Sequence, residues 1–257
     1  MKRVLVTRPT AQATAMIELM AGSGFEVLHQ PCLAIAPVVA SSADGLQSKR
    51  LAMDLYTFDH VIVISTNAAH HWFDLIQDYW PQWPVGVQWW AMGHSTQAQL
   101  QAYGVDAKRP KLGDTSEDLL IDLMPHVESY HKVLIVRGVG GRETLAQTLR
   151  DVGVTVEYAQ CYRRQIPVIN AQTLLQLERF SPQVVVLQSG DTLANFDRLL
   201  GGEHWCDPQQ TLLLLPSQRV AQQARELGYQ QLLVSEGASN QAMCDTLLQR
   251  VRALNAM

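Results

Sequence analysis

At 257 residues, 47% apolar and 17% charged, the chain is long enough to bury one large core or two of ordinary size. No apolar run reaches the ~18–20 residues that cross a bilayer, and a net charge of −4 gives no general reason to bind nucleic acid. Four cysteines, Cys32, Cys161, Cys206 and Cys244, stand far apart without CxxC spacing, so neither a zinc site nor a disulfide framework is expected and a reducing cytoplasm fits.

From the start, Met1-Lys2-Arg3-Val4-Leu5-Val6 passes from two charges straight into a strand, with no apolar core or small-residue cleavage site of a signal peptide. Short apolar segments then alternate with amphipathic ones to the end. Strands are predicted at Val4–Thr7, Phe25–His29, Val61–Ile64, Trp89–Met92, Val133–Val136, Val154–Ala159, Val184–Leu187, Thr211–Leu215 and Gln231–Val234. That alternation predicts parallel sheets covered on both faces.

Helix starts are well marked. Thr66 and Asn67 precede Ala68–Tyr79, Ser95 and Thr96 precede Gln97–Tyr103, and Asp114-Thr115-Ser116-Glu117 opens a helix with capping-box chemistry. Ser189, Ser217 and Ser239 stand before three more. The stretches Ala36–Ser48 and Gln165-Ile166-Pro167 read as linkers or crossovers.

The opening unit recurs. Val4-Leu5-Val6-Thr7-Arg8-Pro9 lines up without a gap on Val133-Leu134-Ile135-Val136-Arg137-Gly138, and the same offset carries Gly24 onto Gly153, Val27 onto Val156 and Cys32 onto Cys161. Val61–Thr66 pairs similarly with Val184–Ser189. Two copies of one α/β unit are therefore expected, with a cleft between them. Periodicity leaves open whether the front segment joins the middle or the back of the chain.

Ligands of open parallel sheets sit at the carboxyl ends of strands, facing helix N-termini. Those ends carry Thr7-Arg8-Pro9, Ser65-Thr66-Asn67, Gly93-His94-Ser95-Thr96, Arg137-Gly138, Gln188-Ser189-Gly190 and Pro216-Ser217. Each helix N-terminus carries roughly +0.5 charge, which suits a carboxylate or phosphate. Singly, each hydroxyl is accounted for as an N-cap worth about 1 kcal/mol; as a set arranged twice around a cleft they point to an anionic ligand. Arg137 and Arg142 have an equally good structural role, paired with Glu143, Asp151 or sheet-end carbonyls.

Several chemistries are absent. Gly138-x-Gly140-Gly141 lacks G-x-G-x-x-G spacing and no acidic residue ends the following strand, which argues against NAD. His70-His71 are adjacent on a helix and point apart, so no shared metal is expected. Trp72, Trp80, Trp83, Trp89 and Trp90 read as core and loop packing. No acid/base dyad or nucleophile emerges.

The ordered set Val4-Leu5-Val6-Thr7-Arg8-Pro9, Ile64-Ser65-Thr66-Asn67-Ala68, Ala91-Met92-Gly93-His94-Ser95-Thr96, Leu134-x-x-Arg137-Gly138-x-x-Gly141-Arg142, Tyr162-Arg163-Arg164 and Pro216-Ser217-Gln218-Arg219-Val220-Ala221 resembles uroporphyrinogen-III synthase over nearly the whole chain. The sequence departs from the family at Gln188-Ser189-Gly190, where a set such as Thr-Ser-Pro is usual. The resemblance implies two similar flavodoxin-like parallel-sheet α/β domains joined by a two-stranded connector, with a cleft between them: residues 1–36 with 168–257, and 37–167. The sequence carries no oligomer signature, so a monomer is the default expectation, and no cofactor or metal is expected; the resemblance implies action on hydroxymethylbilane, a linear tetrapyrrole with eight carboxylates. The enzyme removes the terminal hydroxyl as water, inverts the last ring and closes uroporphyrinogen III. Tyr162 is the implied proton donor. Arg8, Ser65, Thr66, Asn67, Ser95, Thr96, Arg137, Gly138, Arg142, Ser189 and Ser217 are the implied substrate-binding residues. The competing readings are a hinge-type small-molecule binding protein without catalysis and a two-domain nucleotide-sugar transferase, which lacks its Gly-rich loop here.

Overall fold

The structure, a computed structural model, describes residues 2–255. They fall into two compact units, one running to Ala34 and resuming at Gln165, the other Ile35–Arg164. In chain order the first unit opens with β1 (Arg3–Val6), α1 (Thr10–Gly22) and β2 (Glu26–His29), and the chain crosses at β3 (Ala34–Pro37). The second unit contains α2 (Ala43–Met53), β4 (His60–Val63), α3 (Thr66–Ile76), β5 (Gln88–Ala91), α4 (His94–Ala102) and β6 (Ala107–Lys108). It continues with α5 (Ser116–Leu123), β7 (Lys132–Gly138), α6 (Thr144–Asp151) and β8 (Thr155–Gln165). The chain then returns to the first unit with α7 (Ala171–Phe180), β9 (Val184–Val186), α8 (Gly190–Leu200), β10 (Leu212–Leu215), α9 (Gln218–Glu226), β11 (Leu232–Val234) and α10 (Asn240–Asn255).

The two sheets share one plan. The first runs β2-β1-β9-β10-β11, and the second runs β8-β7-β4-β5-β6 with β3 added beyond β8. Numbered within its own unit, the first sheet has the flavodoxin-like order 2-1-3-4-5. The second has the same spatial arrangement, but its chain enters at a different strand. Within the first sheet β1, β2, β9, β10 and β11 pair in parallel, and within the second β4, β5, β6, β7 and β8 do so. The units are thus the same layered structure with different entry points, which is why the front segment joins the back rather than the middle.

Register corrects the second half of the sequence repeat by one residue. Val4 pairs with Val184 and its counterpart Val133 with His60, so the structural equivalent of Val184 is His60 and that of Ser189 is Ser65. A slip of one residue would turn each strand's side chains to the opposite face. Faces agree with the shifted alignment: Val185 packs with Leu5 under α8 residues Leu193 and Phe196, and Val61 packs with Leu134 under α3 residues Trp72 and Phe73. Both sheets are covered on two faces, with Val4, Val6 and Met16 on the other side of the first and Ile62, Val133 and Leu149 on the other side of the second.

Details of the elements differ from the pattern expected. Of the linker or crossover expected at Ala36–Ser48, the crossover is what is found: the stretch holds the end of β3 and the start of α2, whose N-cap Ser42 accepts from the Gly45 amide at 3.2 Å. The strand expected to stop at Ala159 runs on to Gln165; β8 lies between β7 and β3, and its pairing with β7 reaches Tyr162. The units divide after Ala34, at β3, and after Arg164, near the end of β8. The short edge strand Ala107–Lys108 gave no sequence signal, since two residues show no period.

Candidate functional site

Both sheets change winding direction between two adjacent strands: β1 and β9 in the first unit, β7 and β4 in the second. At such a switch point the following loops diverge and leave a crevice at the strand carboxyl ends.

In the second unit the crevice is a cavity of ≈ 390 Å³, near the lower end of ordinary ligand pockets. Ile64, Met92, Ile135 and Leu145 give it an apolar floor, while Arg137, Arg142, Arg164, Thr115, Ser116 and the Gly138–Gly141 backbone give it a polar, cationic wall. Tyr162 lines it from β8. The ring is buried, being only 3% accessible. It stacks on His71 with centroids 5.7 Å apart, and its hydroxyl lies 3.3 Å from Ser65 Oγ. A register shift between Arg137 and Gly138 puts Gly138 opposite Tyr162, and the Val139 amide donates to the Tyr162 carbonyl at 2.8 Å. A Cβ on Gly138 would stand 2.7 Å from ring atoms of Tyr162. Gly138 therefore serves the site by leaving room for the tyrosine.

Ser65 caps α3, accepting from the Ala68 amide at 3.1 Å. Thr66 and Asn67 follow in its first turn, both half-buried. Burial and the neighbouring His70 push His71 below the ordinary histidine range, so a neutral ring faces the tyrosine. His70 turns instead to Tyr103 and Asp74, and among the described residues no cluster suited to a metal ion occurs.

Arg137 takes the structural role weighed above. It is 4% accessible, donates to Glu143 Oε1 at 2.9 Å and to the Gly140 carbonyl, and lies 4.9 Å over the Tyr158 ring. Glu143 also accepts from the Tyr158 hydroxyl; that bond and the Arg137 pair hold its carboxyl below the usual range. This network pins the Gly138–Arg142 turn, where Gly140 and Gly141 take φ of +76° and +110°. Arg142 is exposed on that turn and makes no ion pair or hydrogen bond among the described residues.

Ser95 and Thr96 are not caps. The α4 cap is Gly93, and the two hydroxyls lie within its first turn, Ser95 exposed and Thr96 4% accessible. Thr115 and Ser116 were read as a helix start but not assigned to the site; they line the cavity because α5 begins there, with Thr115 and Asp118 forming the capping box. His71 was likewise missed, since only its neighbour contacts could reveal the stack.

At the switch point of the first unit, Arg8 Nη1 donates to Asn240 Oδ1 at 2.6 Å. Burial lowers the Arg8 pKa from the ordinary arginine value. Ser189 caps α8, accepting from the Thr192 amide at 3.1 Å, and Ser217 caps α9, accepting from the Val220 amide at 3.4 Å. Each unit thus presents hydroxyls, amides and at least one arginine on one edge, the equipment for holding carboxylates.

The model of a family described as uroporphyrinogen-III synthase HemD matches residues 14–245. The chain is 30% identical over 251 residues to a uroporphyrinogen-III synthase of Salmonella typhimurium, covering 95% of this chain and 99% of that one. It is 28% identical over 254 residues to that of Escherichia coli, covering 95% and 99%. Among solved structures, a mutant uroporphyrinogen III synthase of Thermus thermophilus superposes with a TM-score of 0.62 at 16% identity over the whole of both chains. A uroporphyrinogen-III synthetase of Helicobacter pylori gives 0.62 at 13% identity over 97% of this chain and 100% of that one. These two establish likeness of fold. The family match, together with relatives aligned end to end, sets aside the non-catalytic binding module and the sugar transferase: the chain belongs to the uroporphyrinogen-III synthase family.

Proposed function

We propose that this protein is a uroporphyrinogen-III synthase, cyclising hydroxymethylbilane with loss of one water and inversion of ring D. The observation that carries the reading is the Tyr162 hydroxyl, held at 3.3 Å from Ser65 beside a cavity bearing three arginines. It sets a proton donor beside groups suited to a polyacid, and family membership supplies the substrate class.

The chemistry asks little of the protein's functional groups. An electron-rich pyrrole expels its hydroxyl once the oxygen is protonated, giving water and an azafulvene. The substituted carbon of the far ring attacks that electrophile to form a spirocycle. The spirocycle fragments and recloses through the other carbon, losing the proton that restores aromaticity. Tyr162 supplies the first proton. Even a weak acid is sufficient, because the leaving step is intrinsically easy. The rest of the catalysis is orientation, bringing the two ends of a flexible chain together in the geometry that leads to ring inversion.

Ser65, Thr66, Asn67, Ser95, Thr96, Ser189 and Ser217, with the amides of their helix turns, serve the acetate and propionate carboxylates, assisted by Arg8 and Arg142. Arg137 contributes by fixing the turn that carries Arg142. The working form is a cytoplasmic monomer without a cofactor or metal; its four buried, unpaired cysteines are consistent with a reducing compartment.

The test is to incubate the protein with fresh hydroxymethylbilane, oxidise the products and separate porphyrin isomers. The type III isomer should dominate. Product confined to type I, the outcome of unassisted closure, refutes the assignment.

A further inference from the structure

We propose that Asn240 and Gln188 are positioning residues that hold the Arg8 guanidinium, without neutralising it, as a carboxylate receptor at the switch point of the first unit. The inference rests on the reading that Arg8 contacts the substrate and adds two residues that the sequence assigned no role.

Three elements converge here. Arg8 follows β1, Gln188 follows the adjacent β9, and Asn240 is the first residue of α10. A single acceptor joins them: Asn240 Oδ1 receives Arg8 Nη1 at 2.6 Å and Gln188 Nε2 at 3.3 Å. Gln188 Nε2 also donates to the Ala238 carbonyl at 3.2 Å, which anchors the amide to the turn before α10. His29 Nε2 lies 2.9 Å from the Arg8 carbonyl oxygen and fixes the backbone. The guanidinium is thereby aimed from both ends.

What the cluster lacks is a counter-ion. Arg8 makes no ion pair among the described residues; Arg137, its counterpart in the repeat, is paired with Glu143. Burial without a carboxylate nearby is costly for a cation. An amide oxygen directs one N–H and leaves the net charge and the remaining donors for a ligand. Gln188 Oε1, buried and unsatisfied, marks the same spot as one where internal pairing is incomplete. A carboxylate of a polyacid substrate completes it, since guanidinium and carboxylate match in a bidentate geometry.

Replacing Asn240 separates this role from a structural one. Asn240→Asp places a built-in carboxylate on Arg8. Because position 240 opens a helix, an acidic residue there is favourable to folding; a purely structural asparagine would give an unchanged or higher thermal midpoint and unchanged kinetics. The positioning role instead expects KM for hydroxymethylbilane to rise roughly ten- to a hundredfold, the scale of one charge-assisted contact, with kcat held within about threefold and Tm not lowered. Asn240→Ala, which frees the guanidinium to wander, should raise KM by a smaller factor. Arg8→Ala is measured in parallel. If Arg8→Ala raises KM while both Asn240 variants keep the wild-type KM, the positioning role is overturned. If Arg8→Ala itself leaves KM unchanged, the reading of Arg8 as a substrate contact fails. Absence of type III product from the wild-type protein would sink the proposed function instead.

Discussion

The hydroxyls of Ser65 and Tyr162 stand 3.3 Å apart although 97 residues separate them along the chain. The serine caps α3 and the tyrosine comes from the end of β8. With the Ala68 amide already donating to Ser65 Oγ, the tyrosine hydroxyl sits at the N-terminal end of α3.

Removing that hydroxyl should strike turnover and little else. Tyr162→Phe is expected to lower kcat by roughly ten- to a thousandfold, the usual range for general-acid assistance, with Tm close to wild type because only one hydrogen bond is lost. Full turnover of fresh hydroxymethylbilane by the variant would take Tyr162 out of the mechanism.

Gly138→Ala tests the space beneath the ring. The new methyl would meet Tyr162 carbons at 2.7 Å, so the ring must shift from His71 and Ser65. Overpacking of this kind costs about 1–3 kcal/mol, and kcat should fall at least as far as Tm suggests. A variant with native Tm and native kcat would show that ring placement is not critical.

The two arginines on the β7 turn should separate by phenotype. Arg137→Ala loses a buried charge-assisted bond to Glu143 and the contact over Tyr158, a destabilisation of about 1–3 kcal/mol in chemical unfolding. Arg142→Ala, on an exposed side chain without partners among the described residues, should leave stability within about 0.5 kcal/mol while raising KM. Reversed phenotypes would contradict these roles.

Acid should weaken the second unit through His60. The ring is fully buried on β4, with Nε2 3.1 Å from His131 Nδ1 and Nδ1 accepting from Trp90 Nε1 at 3.3 Å. Burial, then the His131 charge, lowers its pKa to about 4, against the partial offset of Asp59 and the His126 carbonyl. The unfolded chain takes up this proton near pH 6.5, whereas the folded protein resists it down to about 4. Stability is therefore intact above 6.5 and declines as pH falls between those values, by up to about 3 kcal/mol. Urea midpoints between pH 7 and 4.5 should drop less steeply for His60→Gln; parallel slopes would exclude His60 as the source.

The strand–helix alternation, the duplication and most helix caps were legible because each rests on local pattern: apolar runs, a repeated Val-Leu-x-x-Arg segment, serines before amphipathic stretches. Ser189 and Ser217 are caps as their positions implied, whereas α3 is capped by Ser65 and begins at Thr66, ahead of the expected start after Asn67. Gly93 took the place expected for Ser95 and Thr96, since any residue with an extended backbone can occupy a cap and the hydroxyl preference is only a bias.

Sequence by itself determined the class of layered sheet, the two copies and the family, all of which follow from short-range periodicity and ordered motifs. Tertiary structure alone decided the one-residue shift between the copies, the burial of Tyr162 over Gly138, the pairing of Arg137 with Glu143 and the hold of Asn240 on Arg8. Each of these depends on which strands become neighbours and in what register. That is a long-range outcome of burying both faces of each sheet, and no window of sequence contains it.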